Sequence, residues 1–229
     1  MKTIGLIGGM SWVSTADYYR YINEMVQKRL GGVSSAEILL HSLNFDPIER
    51  LQVTDDWDTM GSILANSAHK LERAGADCVL ICTNTMHKVA PLVEAVLKVP
   101  LIHIADATAA AVKADLIGSI GLLGTRYTME SAFFRQRMEE NGLEVIVPEA
   151  GERLVIHDII YDELVKNVFT EESRKAYVGI IESLAGRGAR AMVLACTEIP
   201  MLVKQTDTSV PLFDPTYIHA KAAVDFALT

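Results

Sequence analysis

Positive charge is scarce in this 229-residue chain: 21 Lys and Arg stand against 29 Asp and Glu, a net charge of −8, with a pI near 5.3. A nucleic-acid-binding face needs a clustered positive field, so that class is excluded. Long apolar runs are missing too. None approaches the ~20 residues of a membrane-spanning helix. The short apolar start "MKTIGLIGGMSW" is broken by Gly8 and Gly9, which makes it a first strand rather than a signal peptide. The expectation is a cytoplasmic protein with no membrane partner. Cysteine is limited to three. So small and odd a set is no disulfide framework, and no C-x-x-C pair offers a zinc knuckle or a redox motif. G-x-G-x-x-G is also absent, because the first glycines fall at positions 5, 8 and 9, and no metal-ligand spacing stands out. No metal and no other cofactor is expected.

What is present is a globular composition, half apolar, with a regular alternation. Apolar runs at residues 3–7, 36–40, 78–82, 101–104, 117–123, 144–147, 191–196 and 210–213 have mostly consecutive apolar positions. Strands buried on both faces read this way. Helix-period segments separate them. Asp56 opens one, with Trp57, Met60, Leu64, Ser67 and Leu71 on a stripe and Gly75 just past its end. Thr170 opens another, with Glu171 and Glu172 in the first turn, where negative charge suits the helix dipole. Its stripe is Tyr177, Ile180, Ile181 and Leu184, and Gly188 follows. The alternation predicts an α/β fold with parallel sheets.

The chain also repeats itself. "IGLIGG" at 4–9 returns as "IGLLGT" at 120–125, Gly75-Ala76 as Gly188-Ala189, Cys82-Thr83 as Cys196-Thr197, and "VPL" at 99–101 as "VPL" at 210–212. Four matches in one order imply two similar Rossmann-like lobes related by a pseudo-twofold, with an active site in the cleft between them. The expected boundaries are a first lobe at 1–112 and a second at 113–208. A C-terminal strand and helix at 209–229 would pack back on the first lobe.

Cys82 and Cys196 would each end a strand just before a helix. Open parallel sheets bind ligands at that edge, and helix N-termini lower a thiol pKa. Thr83, Asn84 and Thr85 follow the first cysteine, and Thr197 and Glu198 the second. A lone cysteine so placed is more often a small buried hydrophobe, but the repeat weighs against that for this pair. Cys78, inside its strand and opposite Met192 in the repeat, is expected in the core. Gly8 and Gly9 would let the backbone approach a small ligand, with Met10, Ser11 and Trp12 beside it. Gly124-Thr125-Arg126 is the second-lobe equivalent. Two thiols facing one stereocentre could epimerise it, one removing the α-proton and the other returning a proton to the opposite face.

"GLIGGMSWVST", "CTNTMHKV", "LLGTRYTM" and "CTEIP" resemble the aspartate/glutamate racemase family, which works without pyridoxal phosphate. The resemblance runs from residue 1 to about 227, and it is nearest to the bacterial L-aspartate/glutamate-specific racemases. It implies two α/β lobes, a homodimer, a small-molecule amino-acid substrate and no cofactor. Cys82 and Cys196 would be the acid/base pair. Thr83, Asn84, Thr85 and Thr197 would hold the α-carboxylate or amino group, with Met10 and Gln52 at substrate-contacting positions and Ser11 and Thr125 beside them. Arg50 would bind the side-chain carboxylate with its bidentate fork. Lys166 stands one residue beyond the family lysine's place, which Val165 occupies, so aspartate and glutamate are not separated. His87 would cap or be solvated. His103 and His219, after "VPL" in each lobe, would be structural. Hydantoin racemisation, maleate isomerisation and non-catalytic binding of an acidic metabolite remain as alternatives.

Overall fold

The computed structural model describes residues 1–229. The chain divides into two compact units, Met1–Ile104 with Thr216–Thr229, and Ala105–Pro215. The first holds β1 (Ile4–Gly8), α1 (Trp12–Leu30), β2 (Ile38–Ser42), α2 (Phe45–Val53), α3 (Trp57–Arg73), β3 (Cys78–Ile81) and α4 (Ala90–Glu94). The next helix, α5 (Ile104–Ala114), carries the chain into the second unit. There follow β4 (Ser119–Gly124), α6 (Arg126–Glu130), α7 (Ala132–Glu140), β5 (Glu144–Ile146), α8 (Ala150–Asp162), α9 (Glu171–Gly186), β6 (Ala191–Ala195), α10 (Ile199–Leu202) and β7 (Leu212–Phe213). The chain returns to the first unit as α11 (Pro215–Ala227). No helix is long and apolar enough to cross a membrane.

Both sheets are parallel, in the orders β2-β1-β3 and β5-β4-β6-β7. The first is covered on both faces, which explains its unbroken apolar runs. Ile4, Leu6, Cys78 and Leu80 pack with Tyr18, Ile22 and Val26 of α1 and with Ala220 and Val224 of α11. The alternate residues Ile7, Val79 and Ile81 pack with Met60, Leu64 and Leu71 of α3. In the second unit Leu123, Met192 and Leu194 pack with Ile156 and Ile160 of α8 and with Tyr177, Ile181 and Leu184 of α9. The caps act where expected: Asp56 accepts the Thr59 N–H at 3.1 Å and Thr170 the Ser173 N–H at 3.1 Å.

Three expectations differ from the structure. Residues 101–104 do not form a strand. Leu101 makes one bridge to Val79, and Ile104 already begins α5. The expected break after residue 112 falls inside that helix. The boundary at 208/209 shifts as well, because β7 pairs with β6 and so completes the second sheet.

The strand registers fix how the repeats correspond. Ile4 pairs with Cys78 and Ile120 with Ala191. Matching Ile4 to Ile120 therefore matches Cys78 to Ala191, 113 residues on. The flanking strand agrees: Val79 bridges Leu101 and Met192, again 113 on, pairs with Leu212. Carried forward, Cys82 matches Ala195 and Thr83 matches Cys196. The Cys-Thr pairs align as text but lie one residue out of register, and a one-residue slip moves a side chain to the opposite face of a strand.

Gly8 and Gly9 serve the protein rather than leaving room for a ligand. Gly9 has φ +89°, and a Cβ there would overlap the Leu43 carbonyl. A Cβ on Gly8 would overlap the Thr15 side chain. A non-glycine residue at positive φ costs roughly 1–2 kcal/mol before any overlap, and each kcal/mol lowers the melting temperature of a chain this size by about 2–4 °C. Gly9→Ala should thus melt several degrees below the native protein by calorimetry. An unchanged melting temperature would contradict the backbone packing described here.

Candidate active site

In each unit the candidate residues gather at the carboxyl edge of the sheet, where the parallel strands end together. In the first unit the Leu43 N–H donates to the Gly8 carbonyl at 2.9 Å and the Cys82 N–H to the Ile7 carbonyl at 2.9 Å. These bonds bring the residues after β1, β2 and β3 to one edge. Ser11 caps α1, its Oγ accepting from the Ser14 N–H at 3.4 Å. Met10 is buried in the cluster that holds Ile48 and Met86, and the Gln52 amide donates to Met86 Sδ at 3.3 Å. Thr85 opens the short 3-10 turn after β3.

The two cysteines sit in different environments. Cys82 is 0 % exposed and packs with Leu6, Tyr18, Ala220 and Val224, on the face of Cys78 and Leu80. Burial alone holds its thiol far above the ordinary range. This corrects the expectation that Cys82 presents a thiol to a ligand. The residue after β3 that corresponds to Cys196 is Thr83, which is partly exposed. Next to it Asn84 is 3 % exposed, yet neither its amide nitrogen nor its amide oxygen has a hydrogen-bond partner. A buried unpaired amide costs about 1–3 kcal/mol, a cost that a polar group meeting Asn84 at this turn would relieve.

In the second unit Cys196 follows β6, joined to the cluster of Met192 and Leu194. Its Sγ–H donates to Glu198 Oε2 at 3.2 Å, and the Thr197 hydroxyl donates to the same oxygen at 2.6 Å. Burial raises the Cys196 pKa well above its usual value. The Glu198 carboxylate raises it further, while the backbone N–H groups of Glu198 and Ile199 pull it down. Cys196 is thus a thiol hydrogen-bonded to a neighbouring carboxylate. Glu198, which the sequence marked only as a neighbour of the second cysteine, joins the candidate site through these two bonds. Thr125 caps α6, its Oγ1 accepting from the Thr128 N–H at 3.3 Å.

Two expected carboxylate ligands are placed differently. Arg50 pairs with Asp46 at 3.0 Å, with 76 % of its side chain exposed. Lys166 pairs with Asp162 at 3.5 Å, with 60 % exposed. Both pairs span four residues, the helix-surface spacing.

Removing the Glu198 charge should stabilise the Cys196 thiolate. In Glu198→Gln the midpoint of the pH dependence of Cys196 modification by methyl methanethiosulfonate should fall by about one unit, the size of a single close-charge effect. Mass spectrometry separates this site from the inert core cysteines. A midpoint that stays or rises would mean Glu198 is not the charge beside the thiol.

A family model described as Asp/Glu/hydantoin racemase matches residues 7–223. The fold superposes on the crystal structure of an Asp/Glu racemase candidate from Yersinia pestis with a TM-score of 0.96, at 51 % identity over 100 % of both chains. An aspartate racemase homologue from Pyrococcus horikoshii OT3 gives 0.89 at 34 % identity, again over 100 % of both chains. The broad specificity amino-acid racemase RacX of Bacillus subtilis (strain 168) is 23 % identical over 224 residues, 96 % of each chain.

Proposed function

The chain belongs to the Asp/Glu/hydantoin racemase family, and on that premise we propose that it racemises free aspartate and glutamate by proton transfer at the α-carbon, with Cys196 as one of two acid/base groups. The observation that carries this reading is the Cys196–Glu198 hydrogen bond at a strand end. Thr83 and the unpaired Asn84 amide stand at the corresponding strand end of the first unit.

The steps balance as follows. Glu198 takes the thiol proton of Cys196, and the thiolate takes the α-proton of the substrate. The electron pair left on carbon spreads into the α-carboxylate, whose charge the Asn84 amide N–H groups offset. The Thr83 hydroxyl donates its proton to the opposite face of the carbon and recovers one from water, and Glu198 releases its proton to water. A hydroxyl is a weaker acid than a thiol, so it returns a proton to the carbanion more slowly than Cys196 does, and the alkoxide that works in the reverse direction is scarce at neutral pH. Racemisation is therefore expected to be slow, with α-proton exchange faster than inversion for the enantiomer that meets Cys196.

A wider side-chain range is the second reading. The pairing of Arg50 and Lys166 with carboxylates four residues before them favours it, and so does the name of the Bacillus subtilis relative. Proton NMR in deuterated buffer decides between them. Aspartate, glutamate and a panel of neutral amino acids are incubated with the protein and no pyridoxal phosphate. Loss of the α-proton signal on aspartate or glutamate first is the expected result. Equal loss across the panel would establish the wider range, and no loss on any amino acid would sink the racemase reading.

A further inference from the structure

Three histidines from distant parts of the chain meet in the first unit. His87, His103 and His219 are buried, at 2 %, 6 % and 0 % exposure. The His87 ring centroid lies 4.6 Å from that of His103 and 5.6 Å from that of His219. Hydrogen bonds assign two of the tautomers. The Ile104 N–H reaches His87 Nε2 at 3.3 Å. A backbone N–H can only donate, so Nε2 carries the lone pair and the proton of the neutral ring is on Nδ1. That N–H donates to the Thr83 carbonyl at 2.8 Å. His219 is the converse: its Nε2–H donates to the Ile102 carbonyl at 2.6 Å, and its Nδ1 accepts the Tyr18 hydroxyl at 2.8 Å. Burial, with His87 alongside, pushes the His219 pKa down to about 3, so that ring stays neutral as well.

These bonds converge on one turn. The Cys82 carbonyl is held by the Ser14 hydroxyl at 3.0 Å, and the next carbonyl, of Thr83, by His87. The other nitrogen of His87 is tied to Ile104, where the chain leaves the first unit. His219, shortly after the chain returns at Thr216, holds Ile102. The second unit has no such device, because the register offset of 113 places Pro200 opposite His87. The first unit's turn thus carries an imidazole clamp that its duplicate lacks.

We propose that His87 is a positioning residue for the racemase reaction: its Nδ1–H fixes the Thr83 carbonyl and anchors the turn to Ile104, which sets the direction of the Thr83 hydroxyl and the Asn84 amide. The proposal rests on the function assigned above, in which those two side chains meet the substrate. His87 itself touches no reacting atom. A displacement of about 1 Å at such a turn can cost on the order of 10²-fold in rate.

Two substitutions separate positioning from bulk stability. The Asn side-chain nitrogen can occupy the place of Nδ1 and donate to the Thr83 carbonyl, which Ala cannot do. His87→Ala should lose on the order of 10²-fold in kcat for inversion with KM within a few-fold, and His87→Asn should recover most of that loss, both judged on protein with native circular dichroism. Equal losses in the two variants, or native kcat in His87→Ala, would overturn the proposal. A second measurement stands apart from activity and from the folding of any variant. Two-dimensional ¹H–¹⁵N correlation of the native histidine rings should show His87 as the neutral Nδ1–H tautomer from pH 6 to 8, and an Nε2–H tautomer or a charged ring there would equally overturn it. If the native protein exchanges no amino acid's α-proton, the racemase reading fails. The clamp itself is then decided by that tautomer, and by whether the Asn84 side-chain resonances move in His87→Ala and not in His87→Asn.

Discussion

Cys196→Ala is expected to lose α-proton exchange on its best amino acid by about 10²- to 10⁴-fold, the span of a positioned acid/base group, whereas Cys82→Ala keeps the native rate within a few-fold. Both residues are cysteines followed by threonine just past the end of a parallel strand, so only their surroundings separate them. Cys196 has a carboxylate oxygen 3.2 Å from its sulfur and two backbone N–H groups that favour its thiolate. Cys82 has neither, and the side chains around it are those of Leu6, Tyr18, Ala220 and Val224. A thiolate there would be a buried charge with no partner, which a protein avoids by keeping the group neutral. Removing the Cys82 sulfur should instead appear as a loss of about 1 kcal/mol in stability, the value of one buried methylene-sized group. The deuterium-exchange assay and a urea titration on the two variants test this together. Loss of exchange in Cys82→Ala at native stability would restore the two-thiol arrangement and overturn the register argument.

Strand register is where sequence reading stops. Duplication was legible because Gly75 and Gly188, each past the end of a helix, and the two "VPL" segments recur in order. Helix starts at Asp56 and Thr170 were legible because capping is local chemistry. Register is different, since it is fixed by which backbone groups bond across strands. Cys82 and Cys196 look equivalent as letters, yet carrying the ladders forward makes Thr83, not Cys82, correspond to Cys196 in the repeat. The expected strand at 101–104 was mistaken for a related reason: an apolar "LIHI" does not show that only Leu101 finds a strand neighbour. Arg50 and Lys166 were chosen for their charge, and the sequence spacing that also gives each an acid four residues away was not weighed. The histidine clamp could not be read from spacing, because His87, His103 and His219 are brought together by tertiary packing alone.

The register also makes a constructive test. Thr83→Cys should place a thiol at the true counterpart of Cys196 and raise the inversion rate by about tenfold or more, toward the contribution expected of a second acid/base group. The equilibrium constant of a racemisation is one, so kcat/KM must rise equally from both enantiomers. The informative quantity is the ratio of exchange to inversion. On the proposed mechanism the native hydroxyl returns protons slowly, so an abstracted α-proton should be replaced from solvent through Cys196 more often than the centre inverts. With a thiol on both faces the two processes should approach equal rates. Polarimetry and α-proton NMR on the same samples give the ratio directly. The fold should tolerate the change, because Thr83 is partly exposed and no side-chain hydrogen bond of the core depends on its hydroxyl. A Thr83→Cys protein that is well folded but inverts no faster than the native would place the second proton-transfer group elsewhere in the first unit. The same gain appearing in a Cys82→Ala, Thr83→Cys double variant would assign it to position 83 alone.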